Sequence, residues 1–167
     1  RDFCLSRGLG DVYKRQALKE DDYDRAREIA KWYKSIFGDR YYLELQDHGH
    51  PKSNTHWDVQ AKINEGLIKL SKELDIEMVV TCDGHYLTHE YQDAHEILLC
   101  VGTGSYLSDE KRMSLKDFEL HLTDPRDIID HWGEDFPEVI RNTKKIADRC
   151  DVAVSYTHLT LPTKRIV

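Results

Sequence analysis

Glu77-Met78-Val79-Val80-Thr81-Cys82-Asp83-Gly84-His85-Tyr86 is the stretch whose reading decides the fold. Its apolar and β-branched run, closed by Gly84, predicts a buried strand over 77–82 that ends in a turn. Residues two apart on an extended chain share a face, so Asp83 and His85 are expected to project together from the strand's carboxyl end. Parallel α/β sheets and barrels place their chemistry at that end. A carboxylate oxygen and an imidazole nitrogen are both metal donors. On its own, the D-x-H pair fits a turn aspartate beside a hydrogen-bonded histidine just as well, so the flanking chain has to decide.

Upstream, the pattern alternates between strand and helix. Asp21 or Asp22 can cap a helix with an apolar stripe of Tyr23, Ala26, Ile29, Ala30, Tyr33, Ile36 and Phe37, closed by Gly38. The segment 41–46 (YYLELQ) predicts a strand, after which Gly49 and Pro51 leave Asp47, His48 and His50 in a loop. A helix over 55–74 is expected to bury Val59, Ile63, Leu67, Leu70 and Leu74, with Gly66 weakening it by about 1 kcal/mol relative to Ala. Together with the 77–82 strand this makes a strand–helix–strand unit of the right length for a parallel crossover.

Downstream, Thr88 can cap a helix that carries Ala94, Leu98 and Val101 inward and stops at Gly102. The segment 118–122 (FELHL) alternates like a short strand. Asp124-Pro125 and Asp135-Phe136-Pro137 open two further helices, the second burying Val139, Ile140, Ile146 and Ala147. From residue 123 onward the pattern is helical, so a barrel-like unit is expected to end there.

The two ends differ from this middle. Residues 1–16 (RDFCLSRGLGDVYKRQ) have no sustained period, and 155–167 (SYTHLTLPTKRIV) form a Thr-rich tail. Both resemble translated adapter sequence and are set aside as foreign to the domain. With 167 residues, 40% hydrophobic and 33% charged, the chain can bury one real core. No apolar run approaches the roughly 18 residues of a membrane span, and no signal peptide is visible. Four cysteines, none in C-x-x-C spacing, fit a reducing, cytoplasmic location better than a disulfide scaffold. A net charge of −7 gives no global basic field for nucleic acid, so any DNA contact must come from a local patch, a bound metal or other parts of the protein. Dinucleotide (GxGxxG), P-loop and nucleophile-elbow (GxSxG) motifs are absent.

Of the nine histidines, His56, His89 and His131 are expected on helix starts or polar faces, in solvent. His95, beside Glu96, could equally be buried in hydrogen bonds or catalytic. His48 differs because it is expected at the same end of the sheet as Asp83 and His85, as a ligand or as a side chain that orients one. Glu44 lies mid-strand, where an inward carboxylate would either touch a metal or pair with a cation. Cys82 faces away from Asp83, and core packing suits it best.

These residues also carry a family resemblance. Residues 41–49 (YYLELQDHG), 64–67 (NEGL), 81–87 (TCDGHYL) and 93–101 (DAHEILLCV), with Thr103-Gly104, Leu107-Ser108-Asp109 and the closing 142–150 (NTKKIADRC), resemble bacterial replicative DNA polymerase III alpha subunits. The order matches, and nearly all of 17–154 is covered. The resemblance implies an α/β fold: 17–122 as part of a distorted seven-stranded (β/α)7 barrel of the polymerase and histidinol phosphatase (PHP) type, and 123–154 as a helical transition into the polymerase core. It implies Asp83 and His85 as metal ligands in a site for Zn, Mn or Fe, with Cys82 standing where the family commonly has Asn. Other ligands lie upstream, and a family cysteine is expected near residue 8, which is Gly8 here. The parent would carry out template-directed DNA synthesis with Mg on carboxylates outside this chain. Its partners would be DNA, dNTPs and other replicase subunits, with no membrane contact. The PHP domain could serve as a 3′–5′ proofreading exonuclease. A free-standing histidinol-phosphatase-like phosphoesterase and a metal-free structural module are the alternatives.

Overall fold

The computed structural model of the chain describes residues 9–53 and 57–151. Its elements run α1 (Leu9–Lys19), α2 (Tyr23–Phe37), β1 (Leu43–Gln46), α3 (Asp58–Leu74), β2 (Met78–Thr81), α4 (Gln92–Thr103), α5 (Pro125–Trp132) and α6 (Pro137–Asp148). Three-residue 3-10 turns sit at Gly38–Arg40, Asp47–Gly49 and His89–Tyr91. The mixed helix and strand content is that of an α/β chain. No described helix is long and apolar enough to cross a membrane.

The expected crossover is present. β1 and β2 pair in parallel with Leu43 opposite Met78 and Gln46 opposite Thr81, and α3 connects them. Leu43, Leu45, Met78 and Val80 put one alternating face into the core with Ile63, Leu67 and Leu70 of α3, Ala26 and Ala30 of α2, and Val139 of α6. Asn142 extends from α6 to the edge of β2, where its Nδ2 donates to the Met78 carbonyl over 2.7 Å. A sheet edge that would otherwise present bare backbone is thereby partly satisfied.

Local chemistry explains most boundaries. Asp22 caps α2 by accepting from the Arg25 amide at 3.0 Å, and Gly38 ends it at φ +58. Asp124 caps α5 through the Arg126 amide at 2.8 Å, and Pro begins both α5 and α6. Gly66 has a packing neighbour: a Cβ there would lie 2.8 Å from a Leu18 methyl, so the Leu18 side chain of α1 would have to shift to admit Ala. Residues 9–16, most of α1, belong to the stretch expected to be foreign, yet Lys14 and Arg15 are buried in the fold. The 155–167 tail lies outside the described residues.

Several expectations are corrected. The 118–122 segment forms a single parallel bridge, Tyr86 to His121, rather than a strand, although His85 N donates to Leu120 O and Leu122 N to Tyr86 O. In α2 the outer stripe residues Ile36 and Phe37 are exposed. Ala147 of α6 is exposed too, and Asn142 takes the buried position. Polar Gln60 and Asn64 share the buried face of α3, where Gln60 Nε2 donates to Asn64 Oδ1 and Asn64 Nδ2 to the Gln46 carbonyl. The helix over 55–74 begins at Asp58, and 54–56, with His56, lie outside the described residues.

The largest reversal is in α4. Ala94, Leu98 and Val101, expected inside, are exposed, while Glu96 and Cys100 are buried. The Glu96 carboxylate accepts from Arg112 at 2.6 Å, Ser114 at 2.7 Å and the Leu115 amide at 2.8 Å. Burial alone would raise the Glu96 carboxyl, but these hydrogen bonds outweigh it and hold the group below its ordinary value. A charge anchored in this way fixes the rotation of the helix and turns its apolar stripe outward.

Candidate metal centre at the carboxyl ends of the strands

β1 and β2 deliver His48, Asp83 and His85 to the same end of the sheet. Strand alternation does not place the pair, because Asp83 has left the strand and sits at φ +47. Asp tolerates the left-handed region better than most residues, and the turn it makes folds the next residues back. His85 Nδ1–H then donates to the Asp83 carbonyl over 2.6 Å. That bond fixes the tautomer and leaves His85 Nε2 as the lone-pair nitrogen, the arrangement in which a histidine binds a metal. The His95 ring packs against His85 and Tyr86, with centroids 5.4 and 5.3 Å away.

His48 is 7% exposed and donates from Nε2 to Gln46 Oε1 over 3.1 Å. The same oxygen accepts from Arg15 Nη2, which identifies it as the acceptor end of the amide. His48 Nδ1 is therefore a buried lone pair, without a hydrogen-bond partner among the described residues. Burial pushes the imidazole below its ordinary value, and the Asp83 carboxylate opposes that shift, so the two groups feel each other. His48 lies just past the end of β1, at the same end of the sheet as Asp83 and His85.

Glu44 lies mid-strand in β1. Its Oε1 accepts from Thr81 Oγ1 at 2.7 Å across the paired strands, a hydroxyl partner rather than a cation. Cys82 lines a cleft of about 250 Å³ with Asp47, His48, His121, Asp127 and His131. His121 Nδ1 is the second buried imidazole nitrogen without a partner among the described residues.

His131, expected in solvent, is a missed member of this region. It is partly buried, donates to the Asp47 carboxylate at 2.9 Å and stacks on His50 at 5.4 Å. Trp132 Nε1 also donates to Asp47, so a buried carboxylate ties the end of β1 to α5. An Asp immediately beside the candidate His48 was the available signal, but its partners come from 84 residues away in sequence. His89 is exposed beside Glu119, as expected.

The donor types suit a divalent metal: the Asp83 carboxylate, the free Nε2 of His85 and the orphaned Nδ1 of His48. Among the described residues, no group of three or more His, Cys, Asp or Glu is close enough to hold an ion by itself. These residues would supply part of a ligand set.

No family model matches the chain. It is 34% identical to the DNA polymerase III alpha subunit of Borreliella burgdorferi, over 89% of this chain and 12% of that protein. For the same subunit of Campylobacter jejuni the identity is 35%, over 84% of this chain and 11% of the relative. For Deinococcus radiodurans it is 37%, over 82% and 10%. The chain therefore spans about a tenth of the length of the curated relatives it matches. Over most of its own length, the chain is homologous to one segment of the DNA polymerase III alpha subunit.

Proposed function

We propose that this chain is part of the PHP domain of a replicative DNA polymerase alpha subunit, and that Asp83 and His85 contribute to its metal site. The observation that carries the reading is the Asp83–His85 turn at the carboxyl ends of the parallel strands, with the His85 ring held through Nδ1 so that Nε2 is left as the donor nitrogen. In this reading 17–122 belong to a seven-stranded barrel completed by upstream sequence, and 123–154 lead toward the polymerase core. The parent's template-directed synthesis uses Mg on carboxylates outside this chain, with DNA, dNTPs and other replicase subunits as partners.

A bound Zn, Mn or Fe would activate a water and stabilise the charge that builds on a scissile phosphate, the chemistry of 3′–5′ excision. The chain's own residues do the positioning. The Asp83 carbonyl holds the His85 ring, and the Gln46 amide holds His48 with its lone pair outward. Asp47, gripped by His131 and Trp132, fixes the loop that carries His48.

Reading the source gene through in long reads tests the assignment. Beyond residue 154 the frame is expected to run on into a palm with closely spaced Asp residues. Upstream, the frame is expected to supply the remaining metal ligands, among them a cysteine turn. A stop codon soon after 154 would instead mark a free-standing phosphoesterase.

A further inference from the structure

Asp83 and His85 lie past the end of β2, so the strand ladder does not hold them. His85 is held by three other contacts. Its Nδ1–H donates to the Asp83 carbonyl, and its backbone N–H donates to the Leu120 carbonyl over 2.7 Å. The His95 ring packs edge-on against its ring, with centroids 5.4 Å apart. The second and third contacts both lead back to one buried side chain, Glu96.

The His95 contact runs through α4. Glu96 is 2% exposed and follows His95 directly, so the helix rotation that buries its carboxylate also sets the His95 ring against His85. The Leu120 contact runs through the segment 112–120. Arg112, Ser114 and the Leu115 amide donate to the Glu96 carboxylate. The Phe118 amide then donates to the Leu115 carbonyl at 3.0 Å, and Gln92 Nε2 of α4 donates to the Phe118 carbonyl at 3.1 Å. At the far end the Leu120 amide donates to the Tyr86 phenol oxygen at 3.0 Å, which leaves the Leu120 carbonyl facing His85. A buried carboxylate with this many donors is costly to disturb, because each donor left behind loses its partner.

We propose that Glu96 is a positioning residue for His85, fixing both its backbone and its ring while its own oxygens are occupied by donors of the chain. The inference rests on the reading of Asp83 and His85 as metal ligands. Glu96 acts through Leu120 and His95, and reaches the metal only through the imidazole it orients.

Glu96→Gln tests this, since it keeps the shape and replaces one accepting oxygen with an NH2 that faces donors. Ser114→Ala removes one of the three donors and repeats the test should the first variant fold poorly. Two quantities are read: the His85 tautomer, from ring nitrogen shifts in the 167-residue chain, and the Zn affinity of the full-length subunit against a competing chelator. The parent should show the Nδ1–H form of His85. Glu96→Gln should mix the two tautomers and weaken Zn binding at least about tenfold. A role in packing alone would lower the melting temperature and leave both readouts at parental values below the melt, which would overturn the proposal. Asp83→Asn is measured alongside. If it leaves Zn affinity unchanged, the metal reading itself fails; if it weakens Zn binding and Glu96→Gln does not, only the role of Glu96 fails.

Discussion

Asp83→Asn and His85→Ala, each introduced into the full-length subunit, will lower 3′–5′ excision of a primer terminus by at least about 10–100-fold, the loss typical of a disturbed metal site. Asp83→Asn keeps the shape and removes the anionic donor. His85→Ala removes the free Nε2 that the bond to the Asp83 carbonyl leaves exposed to the site. In the proposed reading nucleotide addition would use separate metals outside this chain, so it should fall only as far as the variants lose stability. Both activities must be measured on variants whose thermal melts match the parent's. Excision at the parental rate with matching melts would make the domain a scaffold.

Leu67→Ala will destabilise the 167-residue chain by about 2–5 kcal/mol, a large share of the roughly 5–15 kcal/mol by which domains are stable. Leu67 is fully buried on α3 and belongs to the same core as Leu43, Leu45 and Leu70. Those neighbours sit on hydrogen-bonded elements that cannot collapse into the space left, so a cavity penalty adds to the lost transfer energy. Melting followed by the helical circular dichroism signal should fall by roughly 5–15 °C. A fall under about 2 °C would mean that the side chain is not packed as described.

Local signals were well read where local chemistry decides the structure. The Asp22 and Asp124 caps, the helix-opening prolines and the β1–α3–β2 crossover all follow from short-range rules. The α4 face was misread because periodicity says that a stripe exists, not which side has a partner. Its rotation is set by Glu96, whose donors lie 16 to 19 residues further on. Gln60 and Asn64 were passed over for the same reason, since a polar residue belongs in a core only when a distant acceptor such as the Gln46 carbonyl is brought to it.

That Asp83, His85 and His48 lie at one end of the sheet was legible from strand ends, but their geometry was not. The expected extended segment is a left-handed turn at Asp83, and it is this turn that sets the tautomer of His85. Glu44 gained a partner that strand position alone did not give. The expected partner of its carboxylate was a metal or a cation, and the partner found is a Thr81 hydroxyl on the neighbouring strand. His131 needed knowledge of a contact with Asp47 that no sequence window spans.

Anomalous diffraction at the Zn, Mn and Fe edges, on crystals of the full-length subunit, tests the central claim most directly. An anomalous peak is expected about 2.0–2.2 Å from His85 Nε2 and an Asp83 carboxylate oxygen. Metal at other sites only, with His85 Nε2 bonded to protein or water and no peak beside Asp83, would contradict it.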